Sequence, residues 1–221
     1  MQRIRVQFNR GEEIKFISHL DIMRLWERAL RRAGVPIVYS QGFSPHPQMS
    51  LAVPLSVGMT SDAELMDVVC SRPVTPQWFE GAVNQQLPAG IRVLRAQQVS
   101  PVLPSLQSQV RFAEYNVTIN TDASREAIEA SINHLMSLTT LPWQHQRDTG
   151  TKNYDLRPLI IELKLAEWRP GSSIIAMRLR SDQTGSGRPE QVIAALGFDT
   201  PAAVHRTGLI LENQSEAVKK P

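Results

Sequence analysis

The sequence is poorest in cysteine, with a single residue, Cys70, among 221. One thiol cannot form an internal disulfide, and it cannot hold an iron–sulfur cluster, which takes several thiolates. No apolar run approaches the ~20 residues that a membrane span needs, and the N-terminal stretch MQRIRVQFNRGEEIKF lacks the apolar core of a secretory signal. These absences predict a cytoplasmic protein in a reducing compartment, without a membrane partner.

Several catalytic signatures are also missing. Without a Cys-x3-Cys-x2-Cys motif the chain is not itself a radical SAM enzyme, and it has no Gly-x-Gly-x-x-Gly, His-Glu-x-x-His or serine-elbow motif. Its five histidines are scattered, without metal-ligand spacing. We therefore expect no cofactor and no metal, and the sequence contains no recognisable set of nucleophile, base and orienting group.

The small excess of positive charge lies at the N-terminal end. The net charge is only +3, yet residues 1–35 contain eight Lys or Arg against four Asp or Glu. Residues 36–98 contain three against four, and residues 99–221 contain thirteen against thirteen. A basic N-terminal end suits an anionic partner. Ordinary solvated charge is the alternative explanation.

The hydrophobic pattern predicts an α+β chain. Its first half has the order strand, helix, strand, strand, helix, strand, which is that of the ferredoxin-like βαββαβ fold, and its second half repeats this order. We therefore predict two tandem ferredoxin-like domains, with a single mixed α+β domain as the alternative. The predicted boundaries are 1–98 for the first domain, 99–110 for a linker, 111–212 for the second domain and 213–221 for a frayed tail.

The first predicted helix, residues 18–33, begins with the motif FISHLD. Ser18 and Asp21 have the spacing of a capping box, in which hydroxyl and acid each satisfy a backbone N–H. His19 has no such structural reason, so it is a candidate for an anion contact or for general acid–base chemistry. Leu20 is predicted to join the apolar stripe. Asp21 and four arginines on the opposite face are candidate RNA or partner contacts, with a solvated face as the alternative: Arg24, Arg28, Arg31 and Arg32.

A stiff loop, YSQGFSPHP, follows this helix. Its two prolines restrict the backbone, and its rings can stack on RNA bases. The alternative is that the loop only covers a sheet edge. The candidate contacts in this loop are Tyr39, Gln41, Phe43 and His46.

Two segments of the second half also contain candidate binding residues. In KNYDLRP, Asp155 and Arg157 point the same way if the chain is extended, which favours an ion pair, with a binding role as the alternative. The turn SDQTGSG, residues 181–187, offers backbone N–H groups to an anion. It is not a Walker loop, because no Gly-Lys-Ser/Thr follows it.

Taken together, the motifs RIRVQF, FISHLD, YSQGFSPHP, LAVPLSVGMTSDAELMDV and YDLRPLI resemble those of the radical SAM-linked protein family, a bacterial domain of unknown function. The chain departs from the family pattern at Ser44, where Asn is common, and at Gln48, where a basic residue is common. Members are encoded beside a radical SAM protein or fused to one, often near genes of an E/G-type ribonuclease and of ribosomal proteins. The resemblance implies a radical SAM partner and a role in RNA or ribosome metabolism.

Two functions follow from these observations. The first is a non-catalytic accessory protein that binds RNA or a partner and acts with a radical SAM protein. The second is a metal-independent RNA-processing enzyme that uses His19. CRISPR RNA-processing endonucleases have a similar tandem plan, although this is an analogy of fold alone. The sequence favours the first function, because it contains no recognisable catalytic set.

Overall fold

A computed structural model describes residues 1–147 and 150–212 and has a mixed α+β fold. The chain divides into two compact units, one spanning Met1–Val110 and the other beginning at Arg111. Across the described ranges, no helix is both long enough and apolar enough to cross a membrane. The predicted tail, 213–221, lies outside the described residues.

The first unit has the element order predicted for its half of the sequence. The elements are β1 Gln2–Arg10, α1 His19–Arg32, β2 Met49–Leu51, β3 Thr60–Cys70, α2 Pro76–Asn84 and β4 Ile91–Val99. β1 pairs antiparallel with both β3 and β4, and β2 pairs antiparallel with β3, so the strand order is β4-β1-β3-β2.

The core of this unit lies between the sheet and its two long helices. Alternation along β1 directs Val6 and Phe8 to the helix side, where both are buried. The ring of Phe8 meets that of Trp26 on α1 edge-to-face, with centroids 4.8 Å apart. Cys70 belongs to the same core, and burial raises the pKa of its thiol. The single cysteine is therefore a packed core side chain.

A buried ion pair occupies the other face of the same sheet. The guanidinium of Arg5 donates to both carboxylate oxygens of Asp67, at 2.8 and 3.0 Å. Both side chains are less than a tenth exposed, at 7% and 6%. Arg5 also donates to the side-chain oxygen of Gln109 at 3.3 Å. The guanidinium thus joins two strands to a segment that lies about a hundred residues further along the chain.

The predicted linker, 99–110, packs on the first unit. Its last turn forms a short helix, α3 Leu106–Gln109, in which both Leu106 and Gln109 are buried. Arg3 donates to the carbonyl of Leu103 at 2.9 Å. These contacts hold the segment against the sheet, so it is not a free tether.

The second unit contains a similar order of elements with an additional hairpin. The elements are β5 Val110–Ile119, α4 Arg125–Ser137, β6 Pro142–Arg147, β7 Gly150–Asp155, β8 Ile160–Arg169, β9 Ser172–Asp182, β10 Gly185–Ser186, α5 Pro189–Ala195 and β11 Ala203–Leu211. β9 pairs antiparallel with β5 and with β8, and β11 lies next to β5. β6 and β7 form a separate two-stranded hairpin between α4 and β8.

Candidate functional site

Ser18 caps the start of α1, as the sequence predicts. Its hydroxyl oxygen accepts from the backbone N–H of Asp21 at 3.2 Å. The Asp21 carboxylate differs from the predicted capping box, because it accepts from the Ser18 hydroxyl at 2.8 Å and from Arg24 at 3.2 Å. The Ser18 hydrogen bond, followed by Arg24 and Arg28, lowers the pKa of Asp21. Asp21 is therefore ionised at neutral pH and has no proton to give as a general acid.

A buried arginine holds the segment that leads into α1. Arg10 is only 3% exposed. It donates to the carbonyl of Lys15 at 3.2 Å, to the carbonyl of Leu55 at 3.3 Å and to the carbonyl of Ile17. One guanidinium thus joins the FISHLD segment to the loop before β3. The sequence analysis did not identify this function of Arg10.

His19 is the first residue of α1 and is exposed. Within the part of the chain that the structure describes, no hydrogen bond or ion pair holds its ring, and no group of three His, Cys, Asp or Glu is placed to hold a metal ion. A ring in this position can donate to, or accept from, a ligand that approaches the helix start.

Replacing His19 with Ala separates the two functions that the sequence suggests. Because the side chain is exposed, we expect the free energy of unfolding in urea to change by less than about 1 kcal/mol. We also expect that neither wild type nor variant cleaves RNA in EDTA, and that the variant binds RNA more weakly. Cleavage by the wild type alone would favour the enzyme. A large loss of stability would instead make His19 a structural residue.

The predicted arginine face is present on α1 and is open to solvent. Its four side chains, which we call the arginine strip, are all exposed. Arg24 is paired with Asp21 at 3.2 Å, and none of the other three forms an ion pair with a described residue. At 1.5 Å per residue, α1 is about 20 Å long, so the strip presents several guanidinium groups along one line. The strip consists of Arg24, Arg28, Arg31 and Arg32.

The predicted aromatic loop, residues 39–47, is closed at its base and exposed at its tip. Tyr39 forms a backbone bridge with Pro47. The N–H of Ser40 donates to the carbonyl of His46 at 2.8 Å, and the N–H of His46 donates to the Ser40 hydroxyl at 3.0 Å. Phe43, at the tip, is 110% exposed on a relative scale. All four candidate contacts of the loop are exposed: Tyr39, Gln41, Phe43 and His46.

The candidate residues of the first unit lie at the two ends of α1. Ile37 follows the helix by only a few residues and bridges Cys70 at the end of β3, so the aromatic loop lies at the Arg31 and Arg32 end. His19 and Asp21 lie at the other end, about 20 Å away along the helix axis. The arginine strip joins these two ends, and the candidates therefore do not form one compact catalytic cluster.

An apolar patch that sequence reasoning missed lies at the His19 end. Phe16, Leu20 and Val57 are 73%, 65% and 58% exposed. The prediction that Leu20 belongs to the apolar stripe is wrong, because it lies on the exposed face, while Ile22 and Trp26 carry the buried stripe. In the sequence, the sign of this patch was the presence of the apolar residues Phe16 and Leu20 on either side of the polar pair Ser18 and His19.

In the second unit, the predicted ion pair between Asp155 and Arg157 is wrong. The guanidinium of Arg157 donates to the carbonyls of Met136 and Leu138 at the end of α4, both at 3.0 Å, and to a third carbonyl at 2.8 Å. Asp155 accepts from two backbone N–H groups instead. The open carbonyls at a helix end compete for the arginine, since each needs a donor. Neither residue is included in the RNA surface considered below.

Comparison with protein families identifies the family to which most of the chain corresponds. The profile of the family described as "Uncharacterized protein conserved in bacteria (DUF2344)" matches residues 3–189. No curated protein matches this chain.

Several solved structures have a similar fold. A chain in the crystal structure of a Cbf5-Nop10-Gar1 complex matches with a TM-score of 0.54 and 7% identity, over 94% of this chain and 48% of that chain. A chain of the archaeal box H/ACA sRNP Nop10-Cbf5 complex matches with a TM-score of 0.46 and 9% identity, over 93% and 46%. This chain thus spans about half the length of these relatives. At such identities the likeness concerns the fold alone.

Proposed function

We propose that this chain, which belongs to the family of uncharacterised proteins conserved in bacteria, is a non-catalytic accessory protein that binds RNA and acts with a radical SAM protein. The observation that carries the RNA-binding part is the exposed arginine strip beside an aromatic loop whose base is closed. The radical SAM part rests on the motif resemblance.

The arginine strip has the chemistry of a phosphate-binding surface. A guanidinium is planar and permanently charged, and it binds phosphate oxygens through two parallel hydrogen bonds. Arg28, Arg31 and Arg32 have no carboxylate partner among the described residues, so a phosphate displaces no intramolecular ion pair there. Several such groups in one line suit a polyanion better than a single small anion.

The aromatic loop supplies the second component of a site for single-stranded RNA. Unpaired bases bind proteins by stacking on aromatic rings, while the backbone phosphates contact basic residues nearby. Phe43 is exposed at the tip of the loop, and hydrogen bonds at Ser40 and His46 hold the loop closed. The backbone at the base of the loop is therefore ordered before a base stacks, which lowers the entropy cost of binding.

The apolar patch supports a protein contact separate from the aromatic loop. Exposed aromatic and aliphatic side chains held in a fixed position are typical of the centres of protein interfaces. Arg10 fixes the segment that carries Phe16. The patch lies at the His19 end of α1 and the aromatic loop at the other, so a protein on the patch leaves the loop open to RNA bases.

Two exposed phenylalanines provide a matched test of the RNA surface. We expect Phe43→Ala to weaken binding of the purified chain to a fluorescent pool of single-stranded oligoribonucleotides by about tenfold, since stacking contributes roughly 1–3 kcal/mol per base. Phe16→Ala removes another exposed ring, at the other end of α1, and should leave the affinity unchanged. Fluorescence anisotropy measures both. Equal losses, or no binding by the wild type, would refute the proposal.

We also propose that both units are ferredoxin-like. In the first unit the strand order is β4-β1-β3-β2 with antiparallel pairing. In the second, β8, β9, β5 and β11 are neighbours in that order, which is the same order once the hairpin is set aside. α1 and α2 of the first unit occupy places in the chain equivalent to those of α4 and α5 of the second, as the split βαβ plan requires.

A further inference from the structure

The hairpin of the second unit has a mixed aromatic and basic face. Across its two strands Trp143 pairs with Tyr154, and His145 pairs with Lys152. Because side chains alternate between the faces of a strand, these four residues share one face. The sequence analysis selected KNYDLRP for Asp155 and Arg157, but it did not predict the hairpin, since the segment is polar and has no apolar periodicity.

A cavity of about 330 Å³ opens beside this face and is lined by basic groups. His145, Lys152 and Arg188 all line it. Nη1 of Arg188 lies 3.2 Å from Nε2 of His145, and the Lys152 ammonium lies 5.8 Å from the ring centroid of Tyr154. In the described ranges neither Lys152 nor Arg188 forms an ion pair. Two cations therefore face the same cavity without a bound counter-charge, which makes it attractive to anions.

The opposite wall is a tightly held turn that carries hydroxyl groups. Asp182 accepts from the backbone N–H groups of Thr184 at 2.8 Å and Gly185 at 3.3 Å. A Cβ at Gly187 would lie 3.1 Å from the carbonyl of Leu159, so glycine permits this close approach. The turn brings Ser186 to the cavity wall.

One carboxylate, that of Asp155, also lines the cavity. One of its oxygens accepts from the backbone N–H of Leu141 at 2.7 Å and from that of Arg157 at 3.0 Å. Backbone N–H groups thus partly neutralise the Asp155 carboxylate. The cavity wall has two permanently basic side chains, those of Lys152 and Arg188, against this one carboxylate.

A second, wider cleft of about 730 Å³ adjoins the first and has an aromatic wall. Trp143 and Tyr154 line it, and Gln144 and Asn153, which alternate with them along the strands, also border it. Aromatic rings such as these stack on nucleobases. Tyr154 and Asp155 line both cavities, so one ligand can reach from one to the other.

We infer that the second unit binds a nucleotide, with its phosphate in the cavity of His145, Lys152 and Arg188 and its base in the cleft of Trp143. The arginine supplies two parallel hydrogen bonds to phosphate oxygens, the lysine a point charge and Ser186 a hydroxyl donor. The ligand is either a free nucleotide or the terminal nucleotide of an RNA strand. The site lies in a different unit from the arginine strip and stands independently of the proposed RNA surface.

Calorimetric titration of the full chain with AMP, adenosine and inorganic phosphate tests this site. We expect AMP to bind, and adenosine to bind at least about tenfold more weakly, because it lacks the phosphate. Arg188→Gln and Lys152→Gln should each weaken AMP binding by about tenfold. Arg125→Gln removes an exposed arginine of the same unit and should leave AMP affinity unchanged. Thermal unfolding of each variant checks its fold.

A 5′-phosphorylated RNA trinucleotide distinguishes the two ligand sources. Tighter binding than AMP identifies an RNA end as the ligand, and equal or weaker binding identifies a free nucleotide; both outcomes support the site. The inference is overturned if wild type binds neither AMP nor phosphate, if adenosine binds as well as AMP, or if folded Arg188→Gln binds AMP like the wild type. AMP binding should persist in Arg28→Glu/Arg31→Glu, so failure of either surface can be recognised separately.

Discussion

Reversing the charge of Arg28 and Arg31 to Glu weakens RNA binding by about a hundredfold. Each arginine is exposed and free of a carboxylate partner among the described residues, so each is available to a phosphate. A charge-assisted hydrogen bond contributes roughly 1.5–3 kcal/mol, and two of them account for a loss of this size. Log affinity falls with log salt, and each lost phosphate contact makes this negative slope shallower by about 0.7 for single strands. Anisotropy titrations at several salt concentrations therefore show a slope closer to zero by about 1.4.

A control with the same change of net charge isolates the position of the arginines. Arg92 and Arg95 are exposed on β4, opposite Asn9 and Gln7, on the sheet face that points away from α1. Arg92→Glu/Arg95→Glu should retain most of the affinity and nearly the wild-type slope. If both double variants lose affinity equally, the net charge of the protein and not the arginine strip determines binding. Unchanged binding in a folded Arg28→Glu/Arg31→Glu variant contradicts the proposed surface.

Replacing Asp67 with Ala lowers the free energy of unfolding by about 3–5 kcal/mol, because it leaves a buried arginine without its counter-charge. Arg5 and Asp67 are almost fully buried and share two hydrogen bonds. A domain has only about 5–15 kcal/mol of stability in total, so this loss is large. Urea unfolding measures it as a shift of the transition to lower urea concentration.

The double variant Arg5→Met/Asp67→Leu distinguishes the cost of an unpaired buried charge from the cost of lost side-chain packing. Replacing both partners removes the uncompensated charge, and apolar pairs of similar volume are often as stable as the buried ion pair. We therefore expect the double variant to recover most of the stability that Asp67→Ala loses. A loss below about 1 kcal/mol in Asp67→Ala would show that the guanidinium reaches solvent or another partner on its own.

The first helix could be predicted closely from the sequence. Residues 18–33 were predicted and α1 spans His19–Arg32, because local signals specify both ends. Ser18 accepts from a backbone N–H at the start, and Gly34 adopts a positive φ of 68° just past the end. The arginine strip follows from the same helical period, since a residue type every three or four positions shares one face.

Features that depend on distant partners could not be predicted. The buried guanidinium of Arg10 donates hydrogen bonds to backbone carbonyls of two other segments. The guanidinium of Arg157 donates mainly to carbonyls at the end of α4. The spacing of neighbouring residues in the sequence indicates neither set of hydrogen bonds. The hairpin β6–β7 is almost wholly polar, so it lacks the alternation that identifies a half-buried strand. Leu20 was misassigned because steps of three residues drift around a helix, so that Leu20 lies about 120° away from Trp26 and shares the exposed face.

Ultraviolet crosslinking of the purified full-length chain to single-stranded RNA, followed by mass spectrometry of the crosslinked peptides, tests the RNA surface most directly. Aromatic side chains that stack on bases are the ones in contact with them, so the proposed surface predicts crosslinks at Phe43 and Tyr39, lost in Arg28→Glu/Arg31→Glu. Crosslinks that fall only outside residues 19–48, or that persist unchanged in that variant, would contradict the proposal that the arginine strip and the aromatic loop bind RNA.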